Sequence, residues 1–192
     1  MEEKVSKKRE FWSWVRALLI AILLAIIVRH FFLTNYVVDG ISMMPNFQNN
    51  NRLIVNKMVY DFSSPHYGDV IIFHATPTED YVKRVIGLPG DTIVYKNDQL
   101  YRNGKKISEP YLNQYKQKFE EENPGNYFTN NFSLQTEKST NFVMRVPKGK
   151  LWVMGDNRSV SEDSRMIGFV SMSQVVGKVS LRYYPFNELS LY

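Results

Sequence analysis

Leu151-Trp152-Val153-Met154, followed at once by Gly155-Asp156-Asn157-Arg158-Ser159-Val160-Ser161-Glu162-Asp163-Ser164-Arg165, is a short apolar run that delivers the chain into a turn crowded with charge, amide and hydroxyl. The run is entered through the Pro147-Lys148-Gly149 turn, and short stretches rich in β-branched and aromatic residues between such signals read as strands. The same pattern recurs outward from it. Tyr36-Val37-Val38 leads into a loop around Ser42, Arg52-Leu53-Ile54-Val55 and Asp69-Val70-Ile71-Ile72-Phe73 are strands, and Val175 to Tyr184 reads as the final one. Leu100 to Ile107 is a hairpin, because Asn103-Gly104 suits the positive φ angles of a type I′ turn. The expected class is mainly β, with mostly antiparallel strands over residues 34–192.

The 192 residues suit one modest domain behind whatever precedes it. Between about residues 109 and 140 the composition shifts to Asn, Gln, Glu, Lys and Tyr, which marks a polar, partly mobile insertion with a short helix near Gln114 to Glu122. No cysteine is present, so neither disulfides nor thiolate metal sites can form. The net charge is +5, but the basic residues are scattered and no aromatic RNA-binding box accompanies them. Nucleic acid is therefore not an expected partner, and anionic lipid near the amino terminus fits the charge better.

Phe11 to Leu33 is apolar apart from Ser13, Arg16, Arg29 and His30. As a helix rising about 1.5 Å per residue it reaches roughly 35 Å, enough for a hydrocarbon core of about 30 Å. A cleaved leader is the rival, since Ala17 to Val28 has the length of a signal-peptide apolar core, but Arg29 to Asn35 offers no small-x-small cut site. The expected organisation is a basic cytoplasmic tail over 1–10, a transmembrane anchor over 11–33 and an extracytoplasmic domain over 34–192. Lys4, Lys7, Lys8 and Arg9 before the apolar segment place the amino terminus in the cytoplasm.

Ser42 lies in Gly40-Ile41-Ser42-Met43-Met44-Pro45, and Lys83 in Tyr81-Val82-Lys83-Arg84-Val85-Ile86-Gly87-Leu88-Pro89-Gly90-Asp91. A loop serine most often caps a turn, and a lysine in a strand most often guards a sheet edge. Together they suggest a nucleophile and its base, because a serine hydroxyl attacks only once a neighbour takes its proton. A hydrated lysine is neutral about once in 2,500 molecules at pH 7, so the base needs burial, which lowers an amine pKa by up to about 3–5 units. Ser161 supplies a hydroxyl that aims the amine without adding charge. Asp163 and Arg165 are spaced to pair and stiffen the turn, while Asp156, Asn157 and Arg158 can bond backbone or Arg84.

These segments, in this order behind one apolar anchor, resemble the type I signal peptidases over nearly the whole chain. The resemblance implies a membrane-bound serine endopeptidase that removes signal peptides from exported preproteins, with neither metal nor cofactor. It gives Ser42 as nucleophile, Lys83 as general base, Ser161 as the group orienting the amine, and Asp163 and Arg165 as structural support with Asp156 and Arg158 beside them. Some relatives carry a serine two positions before the nucleophile that donates to the oxyanion. Here that position is Gly40, so the backbone N–H groups of Ser42 and Gly40, or a water, are the expected donors. Asn46 also stands where relatives often carry Thr. By the same analogy the substrate is an extended segment with small side chains at the first and third positions before the cut, in shallow pockets lined by Val38, Met43, Tyr81 and Val82. Three other readings compete: a self-cleaving repressor-type peptidase, a catalytically silent membrane-anchored peptide-binding module, and a Ser-His-Asp hydrolase using His74 or His66.

Overall fold

Alternation along the strands closes into two antiparallel sheets. The computed structural model of the chain describes residues 2–31 and 33–192, and the side chains of residues 2–8, 25 and 27–31 lie outside that description. Helix α1 (Glu2–Phe31) leads into β1 (Leu33–Val37), and the Ser42 loop joins it to β2 (Arg52–Asn56). There follow α2 (Val59–Phe62), β3 (Val70–His74), β4 (Asp80–Gly87), β5 (Ile93–Lys96), β6 (Gln99–Arg102), β7 (Lys105–Ile107), α3 (Asn113–Glu122) and β8 (Phe132–Ser133). The chain ends with β9 (Lys150–Met154), α4 (Ser164–Ile167), β10 (Val170–Ser171), β11 (Val175–Tyr184) and β12 (Ser190–Leu191).

The larger sheet runs β1-β2-β11-β3-β4-β9-β10, with β12 added to β11, and the smaller runs β7-β6-β5-β8. β11 is central, between β2 and β3, and is not the final strand, since the short β12 follows it. β3 shows why its sequence is an unbroken apolar run. Val70 and Ile72 pack with Val38, Met43, Phe47, Leu53, Val55 and Val179 on one face, while Ile71 and Phe73 pack with Val85, Leu151 and Val153 on the other. A third cluster glues the sheets together: Ile86, Trp152 and Met154 from β4 and β9 meet Ile93, Tyr95, Leu100 and Phe132 from the smaller sheet. The β6–β7 hairpin turns on Asn103 at φ 54° and Gly104 at φ 73°, both positive as the turn type demands.

Residues 109–140 hold α3 over Asn113–Glu122 and contribute more buried side chains than their polar composition suggests: Glu109, Leu112, Phe128, Thr129, Phe132, Leu134 and Thr140. Phe128 sits 5.8 Å and 5.5 Å, ring to ring, from Tyr115 and Phe119 of α3, so widely spaced aromatics do the packing that aliphatic runs do elsewhere. Within α1 the described side chains from Arg9 to Leu24 are exposed, apart from a half-buried Val15. Among the described residues no helix is long and apolar enough to cross a membrane. Phe32, within the segment 11–33, lies outside the described residues, as do the side chains of Lys4, Lys7, Lys8, Arg29 and His30.

Candidate active site

The loop after β1 is plugged into the core beside the residue it presents. Met43 and Phe47 are fully buried, and the Asn51 carbonyl and Asn50 N–H pin Val38 at the loop's start. Ser42 is left partly exposed between these anchors, while its carbonyl accepts the Asn157 N–H at 3.0 Å. Asn157 Nδ2 also donates to the Ile41 carbonyl at 3.2 Å. The nucleophile candidate and the polar turn after β9 are therefore docked backbone to backbone.

Lys83 comes from β4, paired across to Ile71 of β3, and is only 3% exposed. Its Nζ donates to Ser42 Oγ at 2.8 Å and lies 5.0 Å from the centre of the Tyr81 ring, on the face that strand alternation assigns to both residues. Burial pushes the amine down from its ordinary 10.5 to about 8, against the opposing pull of Asp163, Glu162 and Asp156. A good fraction of such lysines are uncharged at mildly alkaline pH.

Behind this pair the polar turn is a lattice of buried charge. Asp163 caps α4, accepts the Gly155 N–H at 3.0 Å and pairs with Arg165 through Nε and Nη2, each at 2.8 Å. Asp156 receives Arg84 in a two-pronged contact at 2.8 and 2.7 Å, and Asn46 Nδ2 at 2.8 Å. Asn46 thus holds the Ser42 loop to the turn. Arg158 donates to the Gly155 carbonyl, to the Tyr95 hydroxyl, and to Glu109 Oε1 at 2.6 Å. Burial alone would raise the Glu109 carboxyl, but the charge and hydrogen bonds of Arg158 hold it below the usual range. Tyr111 lies under the Arg84 guanidinium at 4.1 Å and links the two ion pairs. Tyr95, Glu109 and Tyr111 had no signal in the sequence: an acid before a proline in a polar stretch gives no hint that it meets an arginine about fifty positions away.

Gly155 has to be glycine. A Cβ there would stand 2.1 Å from Ser161 Oγ and 2.4 Å from the Ser42 carbonyl oxygen. Ser161 is accordingly pressed into the site, 5% exposed, but its hydroxyl makes no hydrogen bond to Lys83 or to any other described group.

Beside the Ser42–Lys83 contact runs a groove of about 300 Å³, walled by Tyr36 to Ser42 on one side and Asp80 to Lys83 on the other, with Val160 and Glu162 at the rim. Val38, Tyr81 and Val82, candidates from the sequence for substrate pockets, line it. Met43 does not: one position past Ser42 it turns inward and is 1% exposed, packed with Phe47 and Leu53 as core. A second correction concerns Gly40, whose N–H is already bonded to Asn49 Oδ1 at 2.9 Å and so is not available to an oxyanion. The Ser42 N–H has no acceptor among the described residues. His74 sits beside Asp80, and His66 beside Asp69, neither bonded to the serine.

Residues 11–184 match the family model described as signal peptidase, peptidase S26. The chain belongs to that family. It is 47% identical to Signal peptidase I of Bacillus caldolyticus over 190 residues, covering 99% of this chain and 98% of the relative. Signal peptidase IB of Staphylococcus aureus is 44% identical over 182 residues, 94% of this chain and 93% of the relative. The crystal structure of a signal peptidase I from Enterococcus faecalis superposes with a TM-score of 0.57 at 38% identity, covering 62% of this chain and 98% of that one. Membership in peptidase S26 makes the protein a serine endopeptidase, a hydrolase, and the mainly antiparallel β architecture agrees with that of the solved relative.

Proposed function

We propose that the protein cleaves signal peptides from exported preproteins, with Ser42 as nucleophile and Lys83 as general base. The observation that carries this is the 2.8 Å contact between Ser42 Oγ and a lysine amine that is almost wholly removed from water. Neutral Lys83 takes the hydroxyl proton as Oγ attacks the scissile carbonyl. The resulting oxyanion faces the Ser42 N–H, with a water as the second donor in place of Gly40. Collapse of the tetrahedral intermediate breaks the C–N bond, and the Lys83 ammonium returns its proton to the leaving amine. An ester on Ser42 remains. A water that gives its proton to Lys83 then attacks this ester, releasing the signal peptide and restoring the hydroxyl. Ser161 orients the amine, its free lone pairs turning to Lys83 when the lysine's bond to Ser42 is given up during attack.

The edge of β1 away from β2, and the edge of Asp80 to Lys83 away from β3, carry no strand partner among the described residues. An extended preprotein segment adds there as a strand, its small side chains at the first and third positions before the cut packing on Val38, Tyr81 and Val82. The domain is held at the membrane by the segment 11–33, amino terminus in the cytoplasm. Supporting this are the apolar sequence of that segment and the exposure of Trp12, Trp14, Leu18, Leu19 and Leu23 on α1. The decisive experiment is cleavage of a radiolabelled preprotein by purified protein in lipid vesicles. Ser42→Ala and Lys83→Met should each abolish it, while His74→Ala and His66→Ala should still cleave. Retained cleavage in either of the first two sinks the mechanism.

A further inference from the structure

The groove is bounded at both ends by side-chain contacts between its walls. At one end is the Lys83 to Ser42 bond. At the other, the Tyr36 hydroxyl of β1 donates to Asp80 Oδ2 of β4 at 2.7 Å, and His74 Nδ1 lies 2.5 Å from Asp80 Oδ1. β2, β11 and β3 separate these two walls in the sheet order, so the Tyr36–Asp80 contact spans an open seam. Both carboxylate oxygens are thereby fixed in place. Burial would raise the Asp80 carboxyl, but the bonds from Tyr36 and His74 outweigh it and keep the group ionised.

The distance sets which substrate residue meets it. Asp80 and Lys83 are three strand positions apart, about 10 Å, so a substrate strand of the same rise whose first residue before the cut lies at Lys83 brings its fourth to Asp80, on the opposite face from the small first and third residues. β1 begins directly after the end of α1, so a segment leaving the proposed anchor's membrane enters at the Tyr36 end. Charge along the groove is one-sided: Asp39, Asp80 and Glu162 line it, Glu79 flanks it, and the lining cation is Lys83, which is neutral when it acts as base.

We propose that Asp80, clamped by Tyr36 and His74, reads substrate charge four residues before the cut, favouring a cationic side chain there and rejecting a carboxylate. This rests on the groove being the substrate site of the proposed peptidase. The test compares kcat/KM at pH 8 and low salt for peptides identical except for Lys, Ala or Glu at position four before the cut or at positions two and three after it, using the full chain in detergent micelles. Lys should exceed Glu by about three- to ten-fold at the upstream position, the combined effect of an exposed attraction gained and a repulsion avoided. That ratio should shrink towards one in 0.5 M salt and in Asp80→Asn, while Tyr36→Phe, which keeps the charge, preserves the sign of the preference. Equal rates for Lys and Glu peptides in the unaltered protein overturn the proposal, as does a ratio that survives Asp80→Asn or that resides downstream of the cut. Failure to cleave any of the peptides, Ala included, would instead count against the peptidase reading itself.

Discussion

Replacing Lys83 with methionine should make the protein more stable and inactive at once. An amine that titrates at 10.5 in the unfolded chain and at about 8 in the fold is a group the native state prefers uncharged. The unfolded chain therefore binds more protons between those values, and stability rises with pH across that window. At about 1.36 kcal/mol per pH unit, holding Lys83 costs about 3 kcal/mol below pH 8, and that penalty falls to nothing by about pH 10.5. Methionine has similar length and no charge, so it removes the penalty while giving up one hydrogen bond to Ser42 worth about 1 kcal/mol. The net expectation is a gain of about 2 kcal/mol at pH 7. Urea unfolding of both proteins in detergent at pH 6.5, 8, 9 and 10 measures it. The gap should be constant below about pH 8 and then close, reversing to a small deficit near pH 10. In parallel, kcat/KM of the unaltered protein should climb with pH through a midpoint near 8. A gap that is independent of pH, or a lysine titrating near 10.5, would refute a neutral buried base.

Glu109→Ala leaves Arg158 charged and buried without its carboxylate, and should destabilise the protein by about 3–5 kcal/mol in a chemical melt; a loss under 1 kcal/mol would contradict the role given to this pair. Gly155→Ala drives a methyl into the Ser42 carbonyl, and since an ångström of misplacement can lower rate about a hundred-fold, kcat should fall by about that much while circular dichroism stays native. Met43→Ala should cost about 2–5 kcal/mol as a core truncation, with the preference for small substrate residues unaltered; a changed preference would return Met43 to the pocket.

Legibility differed by the range over which each signal acts. Strand positions could be read because burial on a pleated sheet leaves a short-range trace, as in Val70 to Phe73 and Leu151 to Met154, and the Asn103-Gly104 turn because its backbone angles are available to few residue pairs. Ser42, Lys83 and the 155–165 segment stood out because their types and spacing are rare in combination. Met43 and Gly40 depart from the local pattern for a common reason. Which way a loop side chain turns, and whether a loop N–H is already bonded, depends on residues such as Asn49 whose proximity is not written in the local pattern.

By itself, then, the chain's order of residues determined a mainly antiparallel β protein, an apolar amino-terminal segment, and one serine and one lysine as candidates for nucleophile and base. The tertiary structure alone decided that Lys83 is buried against Ser42 and so loses its charge easily, that Glu109 and Tyr95 neutralise Arg158 behind the polar turn, and that Tyr36 reaches Asp80 across the groove. Each of these is a contact between segments tens of residues apart. Such contacts arise from how the sheet curls and packs, and desolvation, which sets the chemistry of the amine, exists only once that packing is complete.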